Sequence, residues 1–296
     1  MGTESRQPPL VVADPAFGPI TFSPVVAPTR GVEEKQTTRS GEMGRLQFGS
    51  LPGTAEEAKA LGQLLSGGRV LTQVNASEAA VKGISAPRVL HVATHGFFLP
   101  DMPRDEAATG GRGITLGVVD KPQATARIEN PLLRSGLALE GANLRRSAGG
   151  EDGILTALEV AALDLWGTKL VVLSACETGV GEVMNGEGVY GLRRALVLAG
   201  SESQVMSLWR VSDKATRDLM VAYYKRLTAD EGRSEALRQV QLEMLRGDMR
   251  IVGEAGRGVL GAQAPAGKID YSHPFYWAAF IQSGEWRGMN YRAPLR

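Results

Sequence analysis

The sequence predicts an α/β fold, a three-layer arrangement with a mostly parallel central sheet and helices on both faces. Three observations carry this. Short apolar runs alternate with helical stripes along the 296 residues. The runs (LVVA, RVLHVA, KLVVLSA) are continuous rather than alternating, the pattern of strands covered on both faces. Hydrophobic residues make up 43% of the chain, enough for a core of that size. No internal repeat and no composition break divides it, so one domain over residues 1–296 is expected.

LVVADPAF (10–17) is an apolar run stopped by Asp14-Pro15 and predicts a buried strand. Residues 18–45, rich in Pro, Gly, Thr and charge, predict a mobile loop. LPGTAEEAKALGQLL (51–65) carries Thr54 and Glu57 at capping-box spacing and a stripe of Ala58, Leu61, Leu64 and Leu65, so it predicts a helix ended by Gly67-Gly68. RVLTQV (69–74) predicts a strand, SEAAVKG (77–83) a short helix and RVLHVATHG (88–96) a strand ended by Gly96. Residues 97–127 lack periodicity and predict a second mobile loop, of a length that is usually functional or disordered. A strand is expected within 130–143. GILTALEVAALDL (153–165) predicts a helix with Leu155, Leu158, Ala162 and Leu165 on one face. KLVVLSA (169–175) is the strand that delivers Cys176. A helix over 186–201 is striped by Val189, Leu192, Leu196 and Ala199. A strand at 204–211 and a helix at 212–227 with an Asp or Ser cap come next. The pattern continues with a helix at 234–246, striped by Leu237, Val240, Met244 and Leu245, and a closing strand at 273–284.

Composition narrows the function. Thirty-three basic against 32 acidic residues leave a formal charge of +1, so neither a nucleic acid nor an anionic membrane is an expected partner. No apolar stretch reaches the roughly 18 residues of a membrane span, and the N-terminus lacks the basic-then-apolar order of a secretory signal. MGTESR has Arg6 where a myristoylation pattern needs Ser or Thr. The single cysteine forms no intramolecular disulfide and suits a reducing compartment, so a cytoplasmic location is expected. Three histidines (His91, His95, His273) and one cysteine show no metal-ligand spacing. GVGEVMNGEG (179–188) lacks the Gly-Lys-Ser/Thr of a phosphate loop, and no cofactor is expected.

In open parallel sheets, sites form beyond the carboxyl ends of the strands. Asp14, His95, Cys176 and Asp213 fall at such ends. A thiol and an imidazole at neighbouring strand ends are the minimum for cysteine nucleophilic catalysis: the imidazole takes the thiol proton and later protonates the leaving amine. The backbone N–H groups of Gly96 and Cys176 could bind the oxyanion of a tetrahedral intermediate. Each residue also has a plainer reading. A lone cysteine in a strand is commonly a small buried hydrophobe, but Cys176 follows its run instead of lying within it, with Thr178-Gly179 directly behind. His91, mid-strand, reads as a satisfied core histidine, and His273 before Pro274 as a turn or packing residue. Asp213 is an ordinary helix N-cap type and Asp14 an ordinary turn initiator. A different α/β thiol enzyme, such as an amidotransferase, is disfavoured, because nucleophile elbows show Gly-X-Cys/Ser-X-Gly and here Ser174 and Thr178 flank the cysteine.

HVATHGFF and VVLSACETG together closely resemble the CHAT domain, a caspase-like domain related to separases within the caspase-type cysteine peptidases and often found beside tetratricopeptide repeats. The resemblance extends to LVVADPAF, LPGTAEEAKAL, EGVYGLRRALVLAG, SLWRVSDKAT and HPFYWAAFIQSG. It implies a caspase-like fold, a His95/Cys176 dyad, an oxyanion hole from the Gly96 and Cys176 amides, and endopeptidase activity on a protein substrate. Two departures stand out. The caspase surround Gln-Ala-Cys-X-Gly is replaced by Ser-Ala-Cys-Glu-Thr-Gly, and His95 and Cys176 lie 81 positions apart instead of about 50. The positions that build the primary specificity pocket in caspase-type folds hold Asp14 and Asp213, accompanied by Glu177. Acidic walls predict cleavage after Arg or Lys, as in separases. Arg30, Arg39, Arg104 and Arg112, in the two predicted loops, would then be self-cleavage positions. Relatives are commonly controlled by sensor or repeat modules, and some act in bacterial defence or cell death by cleaving a dedicated protein, including gasdermin-like pore formers. The alternative is a catalytically silent or latent caspase-like interaction module.

Overall fold

The computed structural model describes residues 4–20, 46–99, 130–174, 176–177, 187–209, 212–249 and 271–291. The strands are β1 (Leu10–Pro15), β2 (Arg69–Gln73), β3 (Val89–Ala93), β4 (His95–Phe98), β5 (Ser135–Ala138), β6 (Ile154–Thr156), β7 (Leu170–Leu173), β8 (Cys176–Glu177), β9 (Ser203–Ser207) and β10 (Phe280–Gly284). The helices are α1 (Pro52–Leu64), α2 (Glu78–Lys82), α3 (Ala157–Val160), α4 (Glu187–Leu198), α5 (Asp213–Thr228) and α6 (Arg233–Leu245). Six strands form a sheet in the order β10-β9-β7-β3-β1-β2, parallel throughout except for β10 against β9.

The pleat sends alternate residues to opposite faces, and the two faces carry separate cores. Val11, Ala13, Val89 and Val172 pack with Leu61 of α1, Leu219 of α5 and Val240 of α6. Leu10, Val12, Leu90 and Val171 pack with Val81 of α2, Val160 of α3 and Leu196 of α4. This is the expected mostly parallel, three-layer caspase-like architecture.

A second sheet, in the order β6-β5-β4-β8, lies beside the first. It corrects three expectations. The predicted strand 88–96 is two strands: β3 ends at Ala93, Thr94 breaks the run, and His95 opens β4 in the second sheet. The predicted strand 169–175 likewise ends at Leu173, and Cys176 reappears in β8. The apolar periodicity runs through both breaks, so hydropathy alone does not reveal them. Phe97 and Phe98, assigned to the loop 97–127, belong to β4 and pair with Gly136 and Ser135. Gly136 permits this approach, since a Cβ there would lie 2.8 Å from the Phe97 ring. The rest of both predicted loops that falls in 21–45 and 100–127, including Arg30, Arg39, Arg104 and Arg112, lies outside the described residues.

Other differences have local causes. Thr54 is not the N-cap of α1: Pro52 starts the helix after Leu51, and the Thr54 hydroxyl donates to the Leu51 carbonyl at 2.8 Å. The capping box is real elsewhere, between Thr156 and Glu159 at α3. There the predicted helix 153–165 begins as strand β6, paired with β5, and its helical part is one turn with Leu158 exposed. The strand predicted at 204–211 ends at Ser207. Leu245 of the 234–246 stripe faces solvent. The closing segment opens with a 3-10 turn, Pro274–Tyr276, capped by His273 through a bond from the Phe275 N–H, and only Phe280–Gly284 is strand. His273 is therefore the turn residue expected.

On the α2–α3 side, Lys82 ties three carboxylates, lying 2.7 Å from Glu78, 2.8 Å from Glu151 and 2.9 Å from Glu159. Burial pushes the Glu78 carboxyl up to about 7, against the pull of Lys82. A folded-state value above the ordinary 4.5 means that the stability Glu78 contributes is lost as pH rises from about 4.5 through 7. Lys82→Met leaves the three carboxylates facing one another. The expected loss is about 2 kcal/mol at pH 8, mostly regained at pH 5, where Glu78 is protonated. Urea unfolding at the two pH values checks this, and an equal loss at both would contradict it.

Candidate active site

Two parallel strands, β3 and β7, run side by side in the large sheet with Leu90 opposite Val171 and Val92 opposite Leu173. Both leave it at their carboxyl ends, at Thr94 and Ser174, and continue as neighbours in the small sheet. There β4 and β8 pair in parallel, with His95 opposite Cys176 and Gly96 opposite Glu177. Paired strands lie about 4.8 Å apart, so the register brings together the two residues singled out in the sequence, 81 positions apart along the chain. Gly96 lies within the small sheet, between Leu137 of β5 and Glu177 of β8. The Cys176 and Glu177 side chains lie outside the described residues, and only their backbone register is stated.

His95 is buried, 6% exposed. Its ring is tilted against Phe17 and Phe48, at centroid distances of 5.2 and 5.7 Å. Its Nε2 lies 2.8 Å from the Gly49 carbonyl oxygen. A carbonyl only accepts, so Nε2 carries the ring proton and Nδ1 is left as the basic nitrogen. Gly49 is thus the imidazole-orienting partner, a backbone group that no side-chain motif marks. The segment carrying it is clamped by Asn143. The Asn143 Oδ1 accepts from the Phe48 N–H at 2.8 Å, and Nδ2 donates to the carbonyls of Phe48 and Gly18 at 3.0 and 2.9 Å. Asn143 also escaped the sequence reading, where it was the last letter of the segment 130–143 expected to hold a strand.

Of the predicted acidic residues, Asp14 and Asp213 both adjoin Thr54 of α1. Asp14 has a positive φ of 47°, and both its carbonyl and its carboxylate accept from the Gln73 amide. Its N–H donates to the Thr54 hydroxyl at 3.1 Å. Asp213 begins α5 against the first turn of α1, where Gly53 makes room for it: a Cβ there would meet the Asp213 Cβ at 2.4 Å. Asp213 lines a cavity of about 10 Å³ with Thr54, Glu57, Thr94, Ser174 and Thr216, whereas Asp14 is not among its walls. Ser212, the N-cap position, makes no side-chain cap bond.

Glu57, read in the sequence as a capping glutamate, is instead almost fully buried (1% exposed). Its Oε2 accepts from the Ser174 hydroxyl at 3.2 Å. Its Oε1 lies 3.0 Å from His91 Nε2. His91 is fully buried, with Nδ1 3.1 Å from the Tyr224 hydroxyl. Burial raises the Tyr224 phenol well above its ordinary value, so it stays protonated and can donate to Nδ1. His91 is therefore a core histidine, as expected, with Nδ1 at hydrogen-bond distance from Tyr224 and Nε2 facing the Glu57 carboxylate. The available signal for Glu57 was its place in the stripe of Thr54, Ala58 and Leu61: a carboxylate on the apolar face of a helix needs a buried partner.

A profile of the CHAT domain matches residues 3–285. Tetratricopeptide repeat protein 28 of Homo sapiens is 26% identical over 246 residues, which cover 83% of this chain and 9% of that protein. The protein of the same name from Mus musculus is 25% identical over 249 residues, again 83% and 9%. The chain thus spans about a tenth of the length of these relatives. No helix among the described residues is long and apolar enough to cross a membrane. With the fold, the paired strand ends and a match over nearly its whole length, the chain belongs to the CHAT domain family.

Proposed function

We propose that this chain is a cysteine endopeptidase working through His95 and Cys176. What supports the reading is the register of β4 and β8, which pairs these two residues, together with the Gly49 carbonyl that leaves Nδ1 as the base. In the proposed reaction Nδ1 takes the Cys176 thiol proton, and the thiolate sulfur bonds to the scissile carbonyl carbon. The Gly96 and Cys176 backbone N–H groups donate to the resulting oxyanion. The imidazolium then returns its proton to the leaving amine as the C–N bond breaks. Water, deprotonated by the same imidazole, then attacks the thioester carbon; the C–S bond breaks, the sulfur recovers the proton from the imidazolium, and the new carboxyl end is freed.

For the residue before the scissile bond, the reading favours Lys or Arg, with Asp213 as the principal acid and Asp14 and Glu177 contributing. One charge-assisted pair in a partly desolvated pocket is worth about 1.5–3 kcal/mol. Asp213→Asn is therefore expected to lower kcat/KM on Lys- or Arg-containing fluorogenic peptides about 10- to 100-fold while leaving neutral peptides little changed. A positional scanning library preferring Asp at that position would discard the acidic-pocket reading and leave the dyad standing. Control by a repeat-containing partner, and a dedicated protein substrate such as a gasdermin-like pore former in bacterial defence, belong to the same proposal.

A second reading is a catalytically silent interaction module, favoured by one observation: the relatives found are named for tetratricopeptide repeats. Peptide hydrolysis that disappears in Cys176→Ala decides for the enzyme.

A further inference from the structure

We propose that Glu57 is a positioning residue for Cys176, acting through Ser174 and itself packed against His91, which meets Tyr224. Its functional meaning rests on the peptidase reading, but the hydrogen-bonded anchor stands apart from it.

Ser174 is the point at which the cysteine-bearing chain leaves the large sheet. Its N–H still donates to the Val92 carbonyl of β3 at 2.9 Å. Two residues later the chain is in β8, beside β4. Among the described residues, the Ser174 hydroxyl is a group that sets the chain direction between those two sheets, by donating to Glu57. The matching departure of the other strand, at Thr94, is fixed in a different way: its hydroxyl donates to the Ala138 carbonyl of β5 at 2.6 Å. His95 is therefore anchored from the small sheet and from Gly49, whereas the cysteine strand is anchored from α1 in the large-sheet layer.

An anchor is useful only if it is itself rigid. Glu57 projects from a helix whose face toward the sheet is closed by Ala58 and Leu61, and its second oxygen meets His91 Nε2. His91 comes from the middle of β3, and its other nitrogen meets Tyr224 of α5. The carboxylate that holds Ser174 thus lies against His91 of β3, and His91 in turn against Tyr224 of α5. These groups are all buried, where an unmade polar contact costs more than at a surface. The network fixes the strand exit, and a misplacement of about 1 Å at a reacting atom can cost about 100-fold in rate.

Two measurements on the intact chain test this. The first is amide hydrogen exchange in wild type, Ser174→Ala, Ser174→Thr and Glu57→Gln/Ser174→Ala. Expected is at least tenfold faster exchange at 174–177 in Ser174→Ala with β7 still protected, restoration in Ser174→Thr, and no further change in the double variant. Unchanged protection of 174–177 in Ser174→Ala overturns the proposal. Loss of protection throughout β7 overturns it too, because the bond would then serve the fold in general.

The second is the pH dependence of iodoacetamide alkylation, which reports on Cys176 alone because it is the only thiol. Expected is a wild-type profile lying at lower pH than an ordinary thiol of about 8.5, shifted upward in Ser174→Ala and in His95→Ala. A wild-type profile indistinguishable from an ordinary thiol and insensitive to His95→Ala counts against the peptidase reading, while the exchange result alone decides the positioning role.

Discussion

Replacing Cys176 by alanine is expected to abolish cleavage of Lys- and Arg-containing peptides, with His95→Ala nearly as severe. Each should lower kcat/KM by about 10⁴-fold or more, and the double variant should be no worse than the more damaged single one. Residues that act as a unit in nucleophilic catalysis are grossly non-additive, because removing either partner removes the same activated sulfur. The loss in His95→Ala should fall on kcat rather than on KM, since the imidazole meets the reacting atoms and not the rest of the peptide. The measurement is steady-state fluorogenic hydrolysis of the wild type and three variants, with folding checked by circular dichroism. Intact mass of the same wild-type and Cys176→Ala samples also reads self-cleavage at Arg30, Arg39, Arg104 or Arg112. If alanine at Cys176 leaves hydrolysis intact, the proposed nucleophile is wrong.

Phe48→Ala is expected to be the most damaging substitution away from the chemistry, because it affects stability and site together. Phe48 is 2% exposed and packs against Phe17, Phe97 and the His95 ring. Truncating a buried phenylalanine removes its transfer free energy and leaves a cavity, at a cost of about 3–5 kcal/mol. Phe48 also immediately precedes Gly49, whose carbonyl orients the imidazole. The folded fraction of the variant should therefore lose kcat with little change in KM, as the ring that steadies His95 is gone. Urea unfolding gives the first quantity and peptide kinetics on folded protein the second. A stability loss without any kinetic change would separate the Phe48 cluster from the site.

Most of the large sheet was legible from the sequence because burial on both faces writes strands as unbroken apolar runs. LVVA, RVLHVA and KLVVL are such runs, and each became a strand of the six-stranded sheet. The helices packed on it were legible from their stripes: Leu192, Leu196 and Ala199 are buried as the spacing requires, and so are Leu237, Val240 and Met244. The small sheet was not legible. Its strands are two to four residues long, too short to establish a period, and two of them follow apolar runs after a break of only one or two residues. Thr156 and Glu159 form the capping box that the sequence assigned to Thr54 and Glu57, since the same spacing occurs in both places and only packing chooses between them.

The residue pair at the centre of the proposal was visible in the chain, because a thiol and an imidazole each follow an apolar run and are trailed by glycine. Amino-acid order by itself determined that much: the α/β class, the order of the main elements, the family, and the identity of His95 and Cys176 as a pair. The tertiary structure alone decided what holds them. The departure of two strands at Thr94 and Ser174, the Gly49 carbonyl on the imidazole, the Asn143 clamp and the buried Glu57–His91–Tyr224 contacts join residues up to 133 positions apart. Several of the groups are backbone atoms, which every residue carries and no letter distinguishes. The others are polar side chains whose partners exist only once the sheet has brought distant segments together and removed the water between them.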